Sequence, residues 1–315
     1  MAKLPFSPWF SPPRGSNVCA MESAVAPTEA GFPGTLEELT ITVGDHHHSA
    51  LAAGPASGEL VLLLHGWPEF ADAWTEQLHA LGEAGYRALA VDQRGYAAGA
   101  RPDGVERYSL DLLVGDALAF ADSQGAEKFH LVARDWGGMV AWALAAAHPE
   151  RLRSLTVLST PHPAALQCAT ATDDGQFHDL GYIRFFRRAV GKAEKYLLRD
   201  EAAQLRTVYS RRIPAAFVER AVARLSEPGA LTATLNWYRG ATNDAFHIPA
   251  GPITVPTLYL WGREDPYLGQ SAAELTVHHI DAEYRFQIIE GASQWMAMEA
   301  PDEVIALLLD HLERH

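Results

Sequence analysis

The stretch Arg134-Asp135-Trp136-Gly137-Gly138 follows an apolar run and opens a helical pattern. A sharp strand-to-helix turn exposes its central side chain and needs small neighbours; the common version places serine between glycines. Here the central residue is Asp135, and Ala133 stands at the leading glycine position. Asp135 as a plain helix N-cap fits the local pattern equally well. A carboxylate is a weak nucleophile toward esters, because it departs easily from the tetrahedral intermediate. Toward an sp³ carbon bearing a leaving group, as in an epoxide or an alkyl halide, it is competent. A second stretch, His65-Gly66-Trp67-Pro68-Glu69, also follows an apolar run. Backbone N–H groups of Trp67 and Trp136 can converge on the non-attacking oxygen of Asp135. There they would stabilise the oxyanion formed when water attacks an alkyl-enzyme ester. A tight proline turn is the alternative for that stretch.

The elements that must position these residues alternate in type. Strands are expected at 36–43, 59–64, 87–91, 129–133 and 152–159, and helices at 70–83, 109–123 (Ser109 as N-cap) and 137–147. This alternation predicts a parallel sheet with helices on both faces. From about 163 to 249 the pattern turns helical, with no clear strand, which predicts an inserted helical cap. The rhythm resumes with strands at 255–261 and 284–289 and helices at 271–279 and 301–313, where Pro301 suits a first turn. The expected organisation is a leader over 1–34, a core over 35–162 and 250–315, and a cap over 163–249. In open parallel sheets ligands bind at the carboxyl ends of the strands, where these charged and aromatic stretches fall.

Composition narrows the class further. The chain has 315 residues, a net charge of −14 and 48% apolar residues, which fits a soluble globular protein. That charge disfavours nucleic acid and anionic membranes as partners. No apolar run approaches the length of a transmembrane helix. Two cysteines, Cys19 and Cys168, make no disulfide framework, and the Pro-rich leader lacks a secretory apolar core, so a cytoplasmic location is expected. The triplet His46-His47-His48 has no acid or cysteine spaced to complete a metal site, and reads as a polar turn or strand edge. No metal or organic cofactor is expected. Oligomeric state is left as monomer or homodimer.

The order and spacing of six segments resemble the epoxide hydrolase branch of the α/β-hydrolase family, from about residue 36 to the C-terminus. They are His65 to Glu69, Val91 to Pro102, Asp135 to Gly138, Pro161-His162-Pro163, Leu235 to Arg239 (LNWYR), and Trp261 to Gly269 (WGREDPYLG). The resemblance implies a mostly parallel eight-stranded sheet with an inserted helical cap, and a small epoxide and water as substrates. It implies Asp135 as nucleophile, Tyr182 and Tyr238 as cap donors to the epoxide oxygen, and Asp265 as the acid that orients a catalytic histidine. His65, Trp67, Pro68 and Trp136 fall in the segments around the oxyanion. A haloalkane dehalogenase is the nearest rival enzyme, with Trp237 as a conceivable halide donor. A binding protein that keeps the pocket is the rival from another class.

Two positions depart from the resemblance. Gln294 stands where the catalytic histidine is expected, and a glutamine amide cannot accept a proton near neutral pH. Ring opening needs only Asp135 and the tyrosines, whereas ester hydrolysis needs a base, so the second step is expected to be slowed. Arg134 stands where relatives usually carry histidine. It is expected to favour the carboxylate form of Asp135, either binding an anionic group or pairing at the sheet edge.

Overall fold

The computed structural model describes residues 35–240 and 251–315. The leader expected over 1–34 and the cap residues 241–249 lie outside the described residues. Eight strands form one sheet in the order β1-β2-β4-β3-β5-β6-β7-β8. They are β1 Glu37–Val43, β2 His46–Ala53, β3 Leu60–Leu64, β4 Arg87–Val91, β5 Phe129–Arg134, β6 Leu152–Leu158, β7 Thr257–Gly262 and β8 Tyr284–Ile289. β1, β2 and β4 pair antiparallel, and all other pairs are parallel.

Strands β3, β4 and β5 are buried at every position, because helices cover both faces. Successive residues serve opposite layers. Leu62, Leu64, Leu131 and Ala133 pack in one core with the helices Leu110–Ser123 and Trp136–Ala147. Val61, Leu63 and Val132 pack in the other with Leu78, Leu81, Val304 and Leu308 from the helices Thr75–Glu83 and Pro301–Leu312. Each buried leucine contributes about 1.5–3 kcal/mol relative to exposure.

The expected strands recur within three residues of their ends. β2 was not expected as a strand. It forms a hairpin with β1 around Gly44, whose φ of +57° suits glycine. Strand alternation sends His46 and His48 to one face and His47 to the other, so the triplet cannot converge on one ion. His48 is buried and its Nδ1 meets the Asp92 carbonyl at 3.0 Å. Ser109 takes the expected N-cap position of helix Leu110–Ser123, although its side chain makes no cap hydrogen bond. Helices fill Pro163–Gly240 with no strand among the described residues, and they lie over the carboxyl ends of β5 to β7.

Candidate active site

Asp135 joins β5 to helix Trp136–Ala147 at φ 51° and ψ −123°, a conformation that costs a non-glycine residue on the order of 1–3 kcal/mol. The surrounding packing sustains it only because two neighbours lack side chains. A Cβ on Gly66 would sit 2.3 Å from the Asp135 Cβ, and one on Gly137 would sit 2.4 Å from the Leu64 carbonyl oxygen. The Trp67 N–H donates to Asp135 Oδ1 at 2.7 Å, and the Trp136 N–H also reaches the carboxylate. The Thr160 hydroxyl donates to the Asp135 carbonyl at 3.0 Å. Burial pushes the Asp135 carboxyl up from its ordinary range, while Arg134 and the two N–H groups pull it back.

His65 braces this loop from below rather than facing the cavity. Its Nδ1 meets the Gly66 carbonyl at 2.9 Å, its Nε2 accepts from Gln93 N at 3.2 Å, and burial lowers its pKa to about 3. Pro68 also stays off the cavity, and its carbonyl accepts from the Tyr209 hydroxyl at 2.7 Å.

Helix Gly181–Phe186 and helix Ala230–Gly240 bring Tyr182 and Tyr238 over Asp135. Nearly every residue of 230–238 is buried, so that helix is sandwiched rather than surface-lying. Trp237 anchors it by donating its indole N–H to the Arg94 carbonyl at 2.7 Å. Arg187 Nε donates to the Tyr238 carbonyl at 3.0 Å and ties the two helices together. The tyrosine rings meet edge to face at 6.2 Å, and their hydroxyls are within bonding reach. Burial first, then Asp135 for Tyr182 and Tyr182 ahead of Asp135 for Tyr238, keeps both hydroxyls protonated well above the usual phenol range.

Asp265 follows β7. It accepts from the Ser159 hydroxyl at 2.5 Å and from the Tyr267 and Leu268 N–H groups at 2.9 and 3.0 Å. Burial outweighs these bonds and raises its pKa to about 6. Gln294 follows β8 on a loop held by Glu299, which accepts from Ser293 N at 2.7 Å. Asp135, Trp136, Tyr182, Tyr238 and Gln294 line one narrow cavity of about 60 Å³, closed by Met139, Leu166, Leu180, Ile183 and Leu268. Trp67 packs behind Tyr238 at 5.9 Å, and Asp265 stands behind Tyr267 and Leu268. A wider hollow of about 420 Å³ lies among Leu198, Arg206, Glu219 and Val222, but its Arg206 and Glu219 are bonded to each other at 2.7 Å. It contains no nucleophile facing oriented N–H donors.

A profile of the alpha/beta hydrolase fold matches residues 59–301. The AB hydrolase superfamily protein YfhM of Bacillus subtilis is 36% identical over 271 residues, 83% of this chain and 93% of that protein. Epoxide hydrolase A of Mycobacterium tuberculosis is 31% identical, with 82% and 92% covered. The crystal structure of epoxide hydrolase A from Mycobacterium thermoresistibile superposes with a TM-score of 0.78 at 28% identity, over 89% of this chain and 98% of that one. The chain is an α/β hydrolase of the epoxide hydrolase type.

Arg134 of this hydrolase neither faces the cavity nor lies at a sheet edge. It is 1% exposed on a central strand, ion-paired with the fully buried Glu69, and its Cζ lies 4.5 Å over the Trp295 ring. Anion binding by Arg134 is thereby overturned, because its guanidinium is walled off from any ligand. Pairing stands, but with a core partner. Sequence reading also passed over Tyr267, Ser159 and Thr160. Tyr267 lines the cavity, with its ring 5.4 Å from that of Tyr182. All three sit just past strand ends, and that placement alone was the available signal. His162 accepts from Ala164 N at 3.3 Å and caps the helix that follows. Among the described residues no helix is long and apolar enough to cross a membrane, and no group of His, Cys, Asp and Glu is placed to hold a metal.

Proposed function

We propose that this hydrolase opens a small, mainly apolar epoxide through an alkyl-enzyme ester on Asp135, and that Gln294 leaves the hydrolysis of that ester slow. The carrying observation is the convergence of Asp135, Tyr182, Tyr238 and Gln294 on one apolar cavity. The free carboxylate oxygen of Asp135 attacks an epoxide carbon, and the C–O bond of the ring breaks. Tyr182 or Tyr238 gives its proton to the departing oxygen. Water then adds to the ester carbonyl, and Oδ1, already facing the Trp67 N–H at 2.7 Å, takes the negative charge. Release of the vicinal diol requires a base for that water. Gln294 can hold the water but cannot take its proton. Asp265 would orient an imidazole at the position that Gln294 occupies.

The dehalogenase reading loses its donor, since the Trp237 indole N–H is already given to the Arg94 carbonyl at 2.7 Å. The deciding experiment is intact-protein mass spectrometry after incubation with styrene oxide and a panel of small epoxides, run beside a diol assay. A stoichiometric adduct mapping to Asp135, with little diol, is expected. Gln294→His should release the adduct and raise diol formation by about 10²–10⁴-fold. Steady diol formation without adduct from the unaltered chain would mean that another group supplies the base. No adduct and no diol across the panel would leave a binding protein in place of the enzyme.

A further inference from the structure

The two family-departing residues, Arg134 and Gln294, belong to one connected structure. Arg134 pairs with Glu69 on one side and lies against Trp295 on the other. Glu69 Oε2 accepts from Gly66 N at 3.4 Å, one residue before the N–H that holds Asp135. Trp295 immediately follows Gln294, and its ring lies 5.3 Å from that of Tyr209. The Tyr209 hydroxyl donates to the Pro68 carbonyl at 2.7 Å, which closes the circuit back to Glu69. Arg134 thus touches the oxyanion loop and the Gln294 loop and is bonded through the backbone to Asp135.

We propose that Arg134 is the positioning residue of this site: it locks the loops around Asp135 in register and supplies a fixed, buried positive charge beside Asp135. This rests on the reading of Asp135 as nucleophile. Arg134 is the cation whose field acts on both Asp135 and Asp265. The groups facing it are Asp135, Glu69, Asp265, Glu299 and Tyr238. The phenols facing Asp135 are Tyr96, Tyr182, Tyr238 and Tyr267, all held protonated by burial. An arginine keeps its charge at every working pH, unlike an imidazole. Removing one member of a buried pair leaves the other uncompensated, so a test must change both together or change the charge alone.

The experiment is a ¹³C carboxyl titration of Asp135 in the full chain, assigned by difference from Asp135→Asn, alongside the pH profile of adduct formation with styrene oxide. The double variant Arg134→Met, Glu69→Leu should raise the Asp135 midpoint by a unit or more and slow alkylation at neutral pH at least tenfold. Glu69→Gln, which keeps the shape but removes the counter-charge, should shift the midpoint the opposite way. Arg134→Lys should restore most of the midpoint without restoring the alkylation rate, because it keeps the charge and loses the planar fork. Unchanged midpoints in Glu69→Gln and in a folded double variant would overturn the proposal. The titration needs no reactive epoxide, so a chain that shifts its midpoint as expected yet forms no adduct would sink the enzymatic reading and leave only the charge effect of Arg134 on Asp135 standing.

Discussion

The two sides of the cavity are built to different standards. On the Asp135 side the turn is strained, the glycines are spaced for it, two N–H groups meet the carboxylate, and His65 is bonded at both ring nitrogens to hold the loop. On the opposite side Asp265 is held by three donors, yet its proposed partner position carries a neutral amide, Gln294. On the proposed mechanism, geometry for carbon–oxygen cleavage and chemistry for proton transfer reside on separate residues. One can be complete while the other is reduced.

The most direct way to break this comparison is to remove the proposed nucleophile. Asp135→Ala should abolish adduct formation, a loss of at least about 10⁴-fold, with folding intact by circular dichroism. An adduct that persists would place the nucleophile elsewhere. A steric version follows from Gly66. Its α-carbon leaves no room for a methyl against the Asp135 Cβ at 2.3 Å, so Gly66→Ala must displace either the loop or the turn. Alkylation should fall about 10²–10³-fold, the usual cost of losing an oriented oxyanion donor, while Gln294→His in the same background should recover little diol. Removing single hydroxyls is milder. Tyr238→Phe and Tyr182→Phe should each slow ring opening by about 10–10²-fold, and the double change should cost more than either, because each hydroxyl partly substitutes for the other. Single-turnover adduct rates measure all of these without interference from slow hydrolysis.

The core side was the more legible in sequence. The run 60–64 is apolar at every position and 129–133 at all but His130, the pattern of a strand covered on both faces, and the strand ends delivered His65, Asp135 and Asp265 to one edge. The β1–β2 hairpin was hidden because His46-His47-His48 suppresses the apolar alternation that marks a strand. The helical block was legible only as helical. Its contacts depend on which faces are sandwiched, and helix 230–240 is buried nearly all round, so no stripe marks Tyr238 as cavity-facing. Arg134 shows the deeper limit. Its neighbour in sequence is the proposed nucleophile, but its meaning comes from Glu69 and Trp295, which are far from it along the chain and meet it only through β3, β5 and β8.

Acid separates the two sides in the smallest of these effects. His65 titrates at about 3 in the folded chain and near 6.5 when exposed, and His162 behaves alike. His130 and His311 are lowered to about 4. Groups depressed in this way contribute stability that is fully present above pH 6.5 and is lost as the pH falls toward the folded values, because the unfolded chain binds protons first. Asp265 runs the other way. Its carboxyl is raised to about 6 from 3.8, so the folded chain takes up that proton first and gains stability as the pH falls through 6. The four histidines outweigh the two raised carboxyls, Asp265 and Asp135, and the balance predicts a falling Tm between pH 6.5 and 4.5. Each net proton is worth about 1.4 kcal/mol per pH unit, or about 2–4 °C in a chain of this size. His65→Asn should flatten the slope by about one proton's worth, and Asp265→Asn should steepen it. A Tm that stays level over this range would mean that these histidines are already hydrated in the native chain, and that the bracing of the Asp135 side is looser than its hydrogen bonds imply.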